Sequence, residues 1–493
     1  MLFHSTKNNS VSVSSAEAIV SGIAPDGGLY VPENIPTIDI SMEDFAALSY
    51  PERAKYILSK FLTDFSDEEL TKCVEAAYIG NFDNDEPAPV KALNNGLNVL
   101  ELWHGPTCAF KDMALQILPH LLTTSVKKTG KDSKTVILVA TSGDTGKAAL
   151  EGFKDVDGTN IIVFYPNNGV SPMQKLQMDT QKGNNVYVSA INGNFDDAQT
   201  GVKRIFNSSE AIKRLADMNM SFSSANSINW GRLVPQIVYY FSACADLISK
   251  GTDASEGINF CVPTGNFGNI LAAFYAKLMG APIGKLICAS NSNNVLTDFI
   301  NTGVYNRNRQ FKTTISPSMD ILISSNLERF IYHLCGCDDV FVSAIQKDLA
   351  ICGRYDITNT MQNEMKNHLY GGYCDDAQTI KTIGETYSEQ GYLMDTHTAV
   401  AMAVYKDYVN QTGDHRPAVI VSTASPFKFS NSVLKAIGGE CPANEQEAVM
   451  KLSETTNIPI PAPIASVMNA EPRFNNVCAK SAMFEAVCNY LEI

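Results

Sequence analysis

The sequence predicts an α/β protein in which helices pack on a mostly parallel sheet. Two observations support this prediction. Short apolar runs of strand type recur between helical segments, at residues 135–140, 161–165, 186–188, 259–262, 286–289 and 418–421. Near-continuous β-branched runs of this kind are typical of parallel strands that are buried on both faces. In addition, three of the strands run into small polar turns that open helices, at residues 141–146, 263–269 and 422–429.

The first 93 residues form an opening unit ahead of this pattern. Serine and valine alternate over residues 10–14, which predicts a short strand, and residues 15–21 follow as a short helix. Residues 42–65 are mostly helical in pattern, and Ser66 with its acidic first turn predicts the start of a second helix. The acidic, proline-containing residues 81–89 then predict a domain boundary.

Composition excludes several classes of function. The chain has 493 residues, 45% of them hydrophobic and 18% charged, as in an ordinary globular protein of about three domain-sized units. Its net charge of −14 argues against nucleic acid and anionic membranes as partners. No apolar run reaches the ~18 residues of a membrane span, and the N-terminus lacks signal-peptide features, so we expect a cytoplasmic protein. The 12 cysteines show no zinc-like spacing, and we expect no metal.

Residues 101–116 contain the candidate catalytic lysine. Lys111 follows an uncharged run from residue 105 to residue 110 and precedes Asp112, which begins an apolar helix. A lysine held among apolar neighbours has a lowered pKa and becomes a nucleophile toward carbonyl groups. The alternative is a surface lysine at a helix N-terminus, which is the better interpretation if the stretch is taken alone. Cys108 lies close by, and we interpret it as a packing residue.

The three polar turns are candidate binding sites, because a helix N-terminus offers free N–H groups and the positive end of a dipole. Residues 141–146 combine hydroxyls with two glycines, and residues 263–269 have features of a phosphate-binding turn without matching a Rossmann fingerprint or a P-loop. At residues 422–429 a buried strand runs into hydroxyls, which is unusual without a polar partner. The alternatives are a simple N-cap, a generic glycine-rich turn and a plain polar turn. Arg232 suits bidentate phosphate binding, although a helix-start salt bridge is equally compatible.

The segment HGPTCAFKDMALQ at residues 104–116 resembles the cofactor-lysine segment of threonine synthases, which are pyridoxal-phosphate enzymes of the tryptophan-synthase-β type. The turns at 263–269 and 422–429 match the same family, and the resemblance extends from about residue 22 to residue 429. It implies fold type II, with two open, mostly parallel sheets flanked by helices and an N-terminal extension. The implied domains are residues 1–93, a large cofactor-binding domain of 94–131 with 223–493, and a small mobile domain of 132–222.

The resemblance also implies a role for individual residues. Lys111 would carry pyridoxal 5'-phosphate and act as general base. The cofactor phosphate would be held by the second turn, and the pyridine nitrogen would meet Thr423; the phosphate-binding residues are Gly265, Asn266, Phe267, Gly268 and Asn269. The implied substrate-binding residues are Thr141, Ser142, Gly143, Asp144, Thr145, Asn226 and Arg232. Ser425 stands where relatives often carry His and has no assigned role, and His397 at a helix start is interpreted as structural.

The implied reaction converts O-phospho-L-homoserine and water to L-threonine and phosphate, the last step of threonine biosynthesis. A related phospho-lyase that releases 2-oxobutanoate would have the same lysine, glycine turn and Thr423. A non-catalytic ligand-binding paralogue is a further alternative, and the intact Lys111 counts against it. The sequence leaves open the outcome of the reaction, allosteric effectors and whether the protein is a monomer or a homodimer.

Overall fold

The computed structural model describes residues 1–83, 86–141 and 143–493. Its strands are β1 (Leu2–Ser5), β2 (Asn8–Ser14), β3 (Tyr30–Pro32), β4 (Val90–Ala92), β5 (Leu97–Glu101), β6 (Lys134–Ala140), β7 (Thr159–Pro166), β8 (Val186–Asn192), β9 (Met220–Ser223), β10 (Ile258–Pro263), β11 (Ile283–Ser290), β12 (Val304–Asn306), β13 (Arg354–Asp356), β14 (Leu369–Tyr373), β15 (Ala418–Ser422) and β16 (Val477–Ala479).

The helices are α1 (Ser15–Ser21), α2 (Met42–Ala46), α3 (Tyr50–Phe61), α4 (Asp67–Tyr78), α5 (Asp112–Leu115), α6 (Leu118–Lys128), α7 (Asp144–Phe153), α8 (Pro172–Asp179), α9 (Phe195–Phe206), α10 (Ser209–Asp217), α11 (Trp230–Leu233), α12 (Pro235–Ser249), α13 (Gly268–Leu278), α14 (Val295–Thr302), α15 (Leu327–Leu334), α16 (Asp339–Cys352), α17 (Asn359–His368), α18 (Asp376–Gln390), α19 (Thr396–Thr412), α20 (Ser430–Ala436), α21 (Glu445–Thr456), α22 (Ala462–Met468) and α23 (Met483–Leu491). Within the described ranges, none of them is long and apolar enough to cross a membrane.

The N-terminal unit combines a small antiparallel sheet, in the order β2-β1-β3, with helices α1 to α4. The predicted helices α1 and α4 are both present, Ser66 caps α4 as predicted, and the structure adds that both helices begin with a capping box, at Ser14 and Ser66. The predicted helix over residues 42–65 is divided into α2 and α3, because Ser49 caps a new helix that has a proline in its first turn. The unit is therefore a three-stranded sheet and a helical layer that pack on the rest of the chain.

The larger of the two main sheets has the strand order β14-β11-β10-β15-β5-β4. The pairs between β14, β11, β10, β15 and β5 are parallel, and β4 adds an antiparallel edge. The apolar helix α19 packs on β10, β11 and β15, and α13 packs on β10 and β11 with α12 against it. The predicted strands of this sheet are confirmed, and every residue of β10 and β15 is buried.

The second main sheet is parallel, in the order β16-β8-β7-β6-β9. Four of its strands lie in or adjoin the segment 132–222 that the sequence assigns to a small domain. The division into domains stays a prediction, but the structure departs from it at the C-terminus. There β16 pairs with β8, and α23 packs on α9. The C-terminal elements β16 and α23 therefore belong with this second sheet, called the small sheet below, and not with the large domain. A three-residue strand that covers an exposed sheet edge has too little periodicity to be predicted.

The carboxyl ends of neighbouring strands gather the predicted site segments. The segment before Lys111 follows β5, residues 422–429 follow the adjacent strand β15, and residues 263–269 follow the next strand, β10. Beyond β15, the backbone N–H of Phe110 donates to the carbonyl of Thr423 (2.8 Å), and Ala109 forms a bridge with Ala424. Ligands of open α/β sheets bind at this edge.

Candidate active site

Lys111 lies at the start of α5 with its side chain 11% exposed. Its Nζ lies 3.9 Å from Oδ2 of Asp144 and 4.8 Å from the ring centre of Phe110. Burial lowers the pKa of the Lys111 amine to about 8; the carboxylate of Asp144 acts against this shift, while Lys428 and Arg232 add to it. A substantial fraction of the amine is therefore neutral near physiological pH, which is the form that attacks carbonyl groups.

The turn ahead of Lys111 is fixed by the carboxylate of Asp112. The backbone N–H and the hydroxyl of Thr107 donate to its two oxygens at 2.8 and 2.7 Å. Burial raises the pKa of Asp112 to about 6, although these hydrogen bonds favour the charged form. Gly105 packs directly on this carboxylate, and a Cβ at this position would come within 2.6 Å of its Oδ2 atom. The Gly-Pro-Thr turn thus holds the loop in one shape.

A second buried lysine lies at the site, and sequence reasoning did not assign it a role. Lys428 belongs to the short 3-10 helix after β15, and its Nζ lies 2.7 Å from Oδ1 of Asp144. The same ammonium donates to the carbonyl of Thr107 at 3.0 Å. Burial alone would raise the pKa of Asp144, but Lys428 and Lys111 outweigh it and hold the pKa below its ordinary value. A lysine between two phenylalanines, six residues after a buried strand, was the signal available in the sequence.

The second polar turn has the geometry of an anion site. Phe267 adopts a left-handed conformation (φ 63°) and begins α13, and Gly265 packs so closely that a Cβ would lie 2.7 Å from the carbonyl oxygen of Ser318. Oδ1 of Asn269 accepts hydrogen bonds from the hydroxyls of Tyr239 (2.6 Å) and Tyr240 (2.7 Å). Its Nδ2 is buried without a partner among the described residues. The amide thus directs a free donor from the first turn of α13.

Arg232 lies in α11, 3% exposed, with one hydrogen bond from Nη1 to the carbonyl of Ala225 (2.6 Å). In the described part of the chain its Nε has no partner and no carboxylate pairs with it. Burial lowers its pKa to about 10. Its carbonyl accepts from Gln236, whose Oε1 lies 3.1 Å from the hydroxyl of Tyr239, so the residue lies behind the same turn as Asn269. An unpaired buried cation is costly unless an anion joins it.

In the first polar turn, residues 141–146, the hydroxyl of Thr141 is engaged in hydrogen bonds within the turn itself. The hydroxyl of Thr141 accepts from the N–H groups of Gly143 (3.0 Å) and Gly146 (2.9 Å) and closes the turn. Gly143 has φ 148°, and a Cβ on it would meet Gln174. Thr145 is partly exposed at the helix start. Ser142 lies outside the described residues.

The predicted site residues Asn226 and Thr423 differ in their exposure to solvent. Asn226 is exposed, whereas Thr423 is buried (6% exposed) and its backbone carbonyl joins the lysine loop.

Ser425 gains a structural explanation, because its Oγ accepts from the N–H of Phe427 and caps the 3-10 helix that carries Lys428. His397 also has a structural role: its Nδ1 lies 2.6 Å from Oδ2 of Asp395, and its Nε2 accepts from the N–H of Ser318 beside the phosphate-type turn.

Three family models match the chain in succession. Residues 2–78 match the threonine synthase N terminus, residues 86–425 match the pyridoxal-phosphate dependent enzymes, and residues 398–488 match the threonine synthase C-terminal model. The chain belongs to the threonine synthase family of pyridoxal-phosphate-dependent enzymes. The resemblance stated from the motifs is thereby confirmed, as is the predicted fold class.

Relatives within the threonine synthase family are similar over most of the chain. It is 37% identical to threonine synthase of Pseudomonas aeruginosa, over 90% of this chain and 92% of that one. It is 40% identical to human threonine synthase-like 1, over 86% of this chain, and spans only 58% of the length of that relative. The crystal structure of pyridoxal-phosphate-bound threonine synthase from Brucella melitensis superposes with a TM-score of 0.87, at 35% identity and 99% coverage of both chains.

The residues present fit pyridoxal phosphate. A buried amine with a lowered pKa suits an aldehyde, and the free donors of Asn269 and Arg232 beside a helix N-terminus suit a phosphate. Backbone hydrogen bonds join the loop that carries Lys111 to the loop that carries Thr423, so the two loops lie side by side. Among the described residues, no cluster of His, Cys, Asp and Glu has the composition of a metal site.

Proposed function

We propose that this member of the threonine synthase family converts O-phospho-L-homoserine and water to L-threonine and phosphate. The observation that carries the proposal is the buried Lys111 amine, which lies at the edge where the two main sheets meet and close to a buried arginine, Arg232, that has no carboxylate partner among the described residues. An amine that is partly neutral suits the cofactor chemistry, and an unpaired cation suits a phosphorylated substrate. Relatives named threonine synthase cover nearly the whole chain.

In this proposal the large sheet holds the cofactor. Lys111 binds its aldehyde, the first turn of α13 with Gly265, Asn266, Phe267, Gly268 and Asn269 binds its phosphate, and Thr423 meets its pyridine nitrogen. When bound, pyridoxal phosphate supplies an electron sink for negative charge that develops at the substrate α-carbon. A neutral hydroxyl at the ring nitrogen, in place of a carboxylate, leaves the ring less fully protonated. That environment favours elimination and replacement at the β- and γ-carbons over transamination.

The substrate would lie between the two sheets. The N–H groups of Asp144 and Thr145 at the start of α7 are the donors we assign to its carboxylate, because the N–H of Gly143 already donates to Thr141 and Gly143 would serve to shape the turn. Ser142 and Asn226 are further predicted contacts. Thr141 would act by shaping this turn, since its hydroxyl is already used there. Asp144 would contribute through its backbone N–H, because Lys428 and Gln174 occupy Oδ1 of its side chain. Arg232 would bind the phosphate that leaves from the γ-carbon.

Proton transfer is assigned to Lys111. When its Nζ is free and neutral, Lys111 would accept the proton from the substrate α-carbon. Water then adds at the β-carbon after phosphate has left. Segment 132–222 would move as a small domain that closes over the substrate and excludes other water. A cytoplasmic location and a monomeric or homodimeric state stay predictions.

The test is product identity after purified protein is incubated with O-phosphohomoserine and pyridoxal phosphate. We expect equal amounts of threonine and phosphate, and neither product from the Lys111→Ala variant. Phosphate with 2-oxobutanoate and no threonine would instead establish the phospho-lyase alternative. This alternative is worth the separate assay, because the human relative at 40% identity has the name threonine synthase-like 1.

A further inference from the structure

Lys428 links the two main sheets inside the site. Asp144 begins α7, which packs on the small sheet, whereas Lys428 follows β15 of the large sheet. Their side chains are 2% and 0% exposed and lie 2.7 Å apart. A hydrogen bond from the same ammonium to Thr107 ties it to the loop that carries Lys111. One lysine therefore contacts both sides of the cleft.

Asp144 lies between two amines. Its Oδ1 faces Lys428 at 2.7 Å and also accepts from Gln174 at 3.0 Å, whereas its Oδ2 lies 3.9 Å from Lys111. Without Lys428, the carboxylate would have Lys111 as its remaining nearby cation, and a buried carboxylate would hold that amine in its charged form. A charged amine cannot attack the cofactor aldehyde.

We propose that Lys428 is a positioning residue that neutralises Asp144, limits the pairing of this carboxylate with Lys111 to a long contact of 3.9 Å, and docks the small sheet against the loop that carries Lys111. The inference rests on the proposed role of Lys111 as the cofactor lysine. It assigns a function to a buried cation that the family motifs leave unexplained. It also explains why an aspartate begins a turn that is otherwise suited to binding an anion.

The other charged groups around Lys111 do not replace Lys428. Arg232 also lowers the pKa of Lys111, and Asp112 raises it, but both act less than Asp144 and Lys428. Asp112 is engaged by Thr107 through two hydrogen bonds. Removal of Lys428 therefore shifts the pKa of Lys111 upward on two counts, since a nearby positive charge is lost and Asp144 is released toward Lys111.

The test is the pH dependence of Lys111 acetylation in the full-length protein freed of cofactor, with peptide mass spectrometry as the readout. Exposed Lys381 serves as the internal reference. Lys428→Met should move the midpoint for Lys111 upward by about one pH unit or more, a tenfold lower rate at a fixed pH below the midpoint. Asp144→Asn should move it downward. The double variant should lie between the two, and Lys428→Arg should remain near the parent protein.

The opposite directions distinguish a charge effect from general damage. Shifts of both single variants in the same direction, or no shift in either, would overturn the proposal. If Lys428→Met does not fold, the downward shift in Asp144→Asn and the result for Lys428→Arg decide the question. The titration requires no substrate, so its outcome is independent of product identity. Cofactor trapped at a lysine other than Lys111 would refute the proposed function while the titration still reports on Lys428.

Discussion

Replacement of Arg232 by methionine is the most informative single change in the substrate site. Methionine keeps much of the side-chain volume and removes the charge and all five donors. The arginine is 3% exposed and donates to the carbonyl of Ala225 at 2.6 Å, and its Nε has no partner among the residues that the structure describes. The variant therefore removes a buried cation that the described residues do not neutralise.

The expected loss follows from the strength of one charge-assisted contact. Such a hydrogen bond contributes ~1.5–3 kcal/mol, which corresponds to roughly 10- to 150-fold in kcat/KM at 1.4 kcal/mol per tenfold. The cost to the fold should be small, because the lost hydrogen bond to Ala225 is offset by removal of an unpaired buried charge. We expect the unfolding midpoint to stay within roughly 4 °C of the parent value.

The assay compares two substrates on the same preparation. Turnover of O-phosphohomoserine should fall by the full factor, while slow deamination of threonine or serine, which have no phosphate, should change less than about threefold. Arg53→Met is a matched control, since Arg53 is buried in α3 and paired with Asp246 at 2.8 Å. It removes the same charge and should affect both substrates equally. Equal losses for Arg232→Met would refute phosphate recognition, and weaker cofactor retention would reassign Arg232 to the cofactor phosphate.

Three further predictions concern the cofactor. The purified protein should be yellow, and Lys111→Ala should lose this absorbance. Borohydride should fix the cofactor to the peptide that contains Lys111. Label at Lys147 or Lys175, which form ion pairs with Glu151 and Asp179, would contradict the assignment. The Thr423→Val variant should fold, but its visible spectrum should shift and its turnover should fall roughly tenfold or more, because one polar contact worth ~1–3 kcal/mol is lost. An unchanged spectrum would mean that another residue meets the ring nitrogen. Gly268→Val should weaken cofactor retention, measured by equilibrium dialysis, more than it lowers the unfolding midpoint. The fold should tolerate this change, because a Cβ on Gly268 lies at an ordinary 3.4 Å from Asn326. Gly265→Val is the contrasting variant, since its Cβ would collide with Ser318 and destabilise the loop itself.

Much of the scaffold follows from local signals in the sequence. Continuous β-branched runs predicted the central strands of both sheets, and Ser66 with its acidic first turn predicted the start of α4. The gathering of Lys111, residues 263–269 and residues 422–429 at one edge could be anticipated, because strand ends of a parallel sheet share an edge.

What the sequence did not predict depends on contacts between distant residues. Asp144 and Lys428 are separated by 284 positions in the chain, and neither local pattern indicates that they form an ion pair. Arg232 illustrates the same limit, since only its surroundings show that the described residues provide no carboxylate partner. The pairing of β16 with β8 is also a long-range contact that a three-residue run cannot signal.

The charge distribution of the site indicates how an acidic protein binds anions. Three cationic side chains, Lys111, Lys428 and Arg232, and two carboxylates, Asp144 and Asp112, lie at the site, so their formal charges sum to one net positive charge. One charge cannot neutralise a cofactor phosphate, a substrate phosphate and a carboxylate together. The remaining attraction must come from neutral donors, which are the N–H groups that begin α7 and α13 and the Nδ2 of Asn269, which has no partner in the described part of the chain. This division explains why two of the polar turns are rich in glycine, since backbone donors act only when an anion can approach the main chain closely.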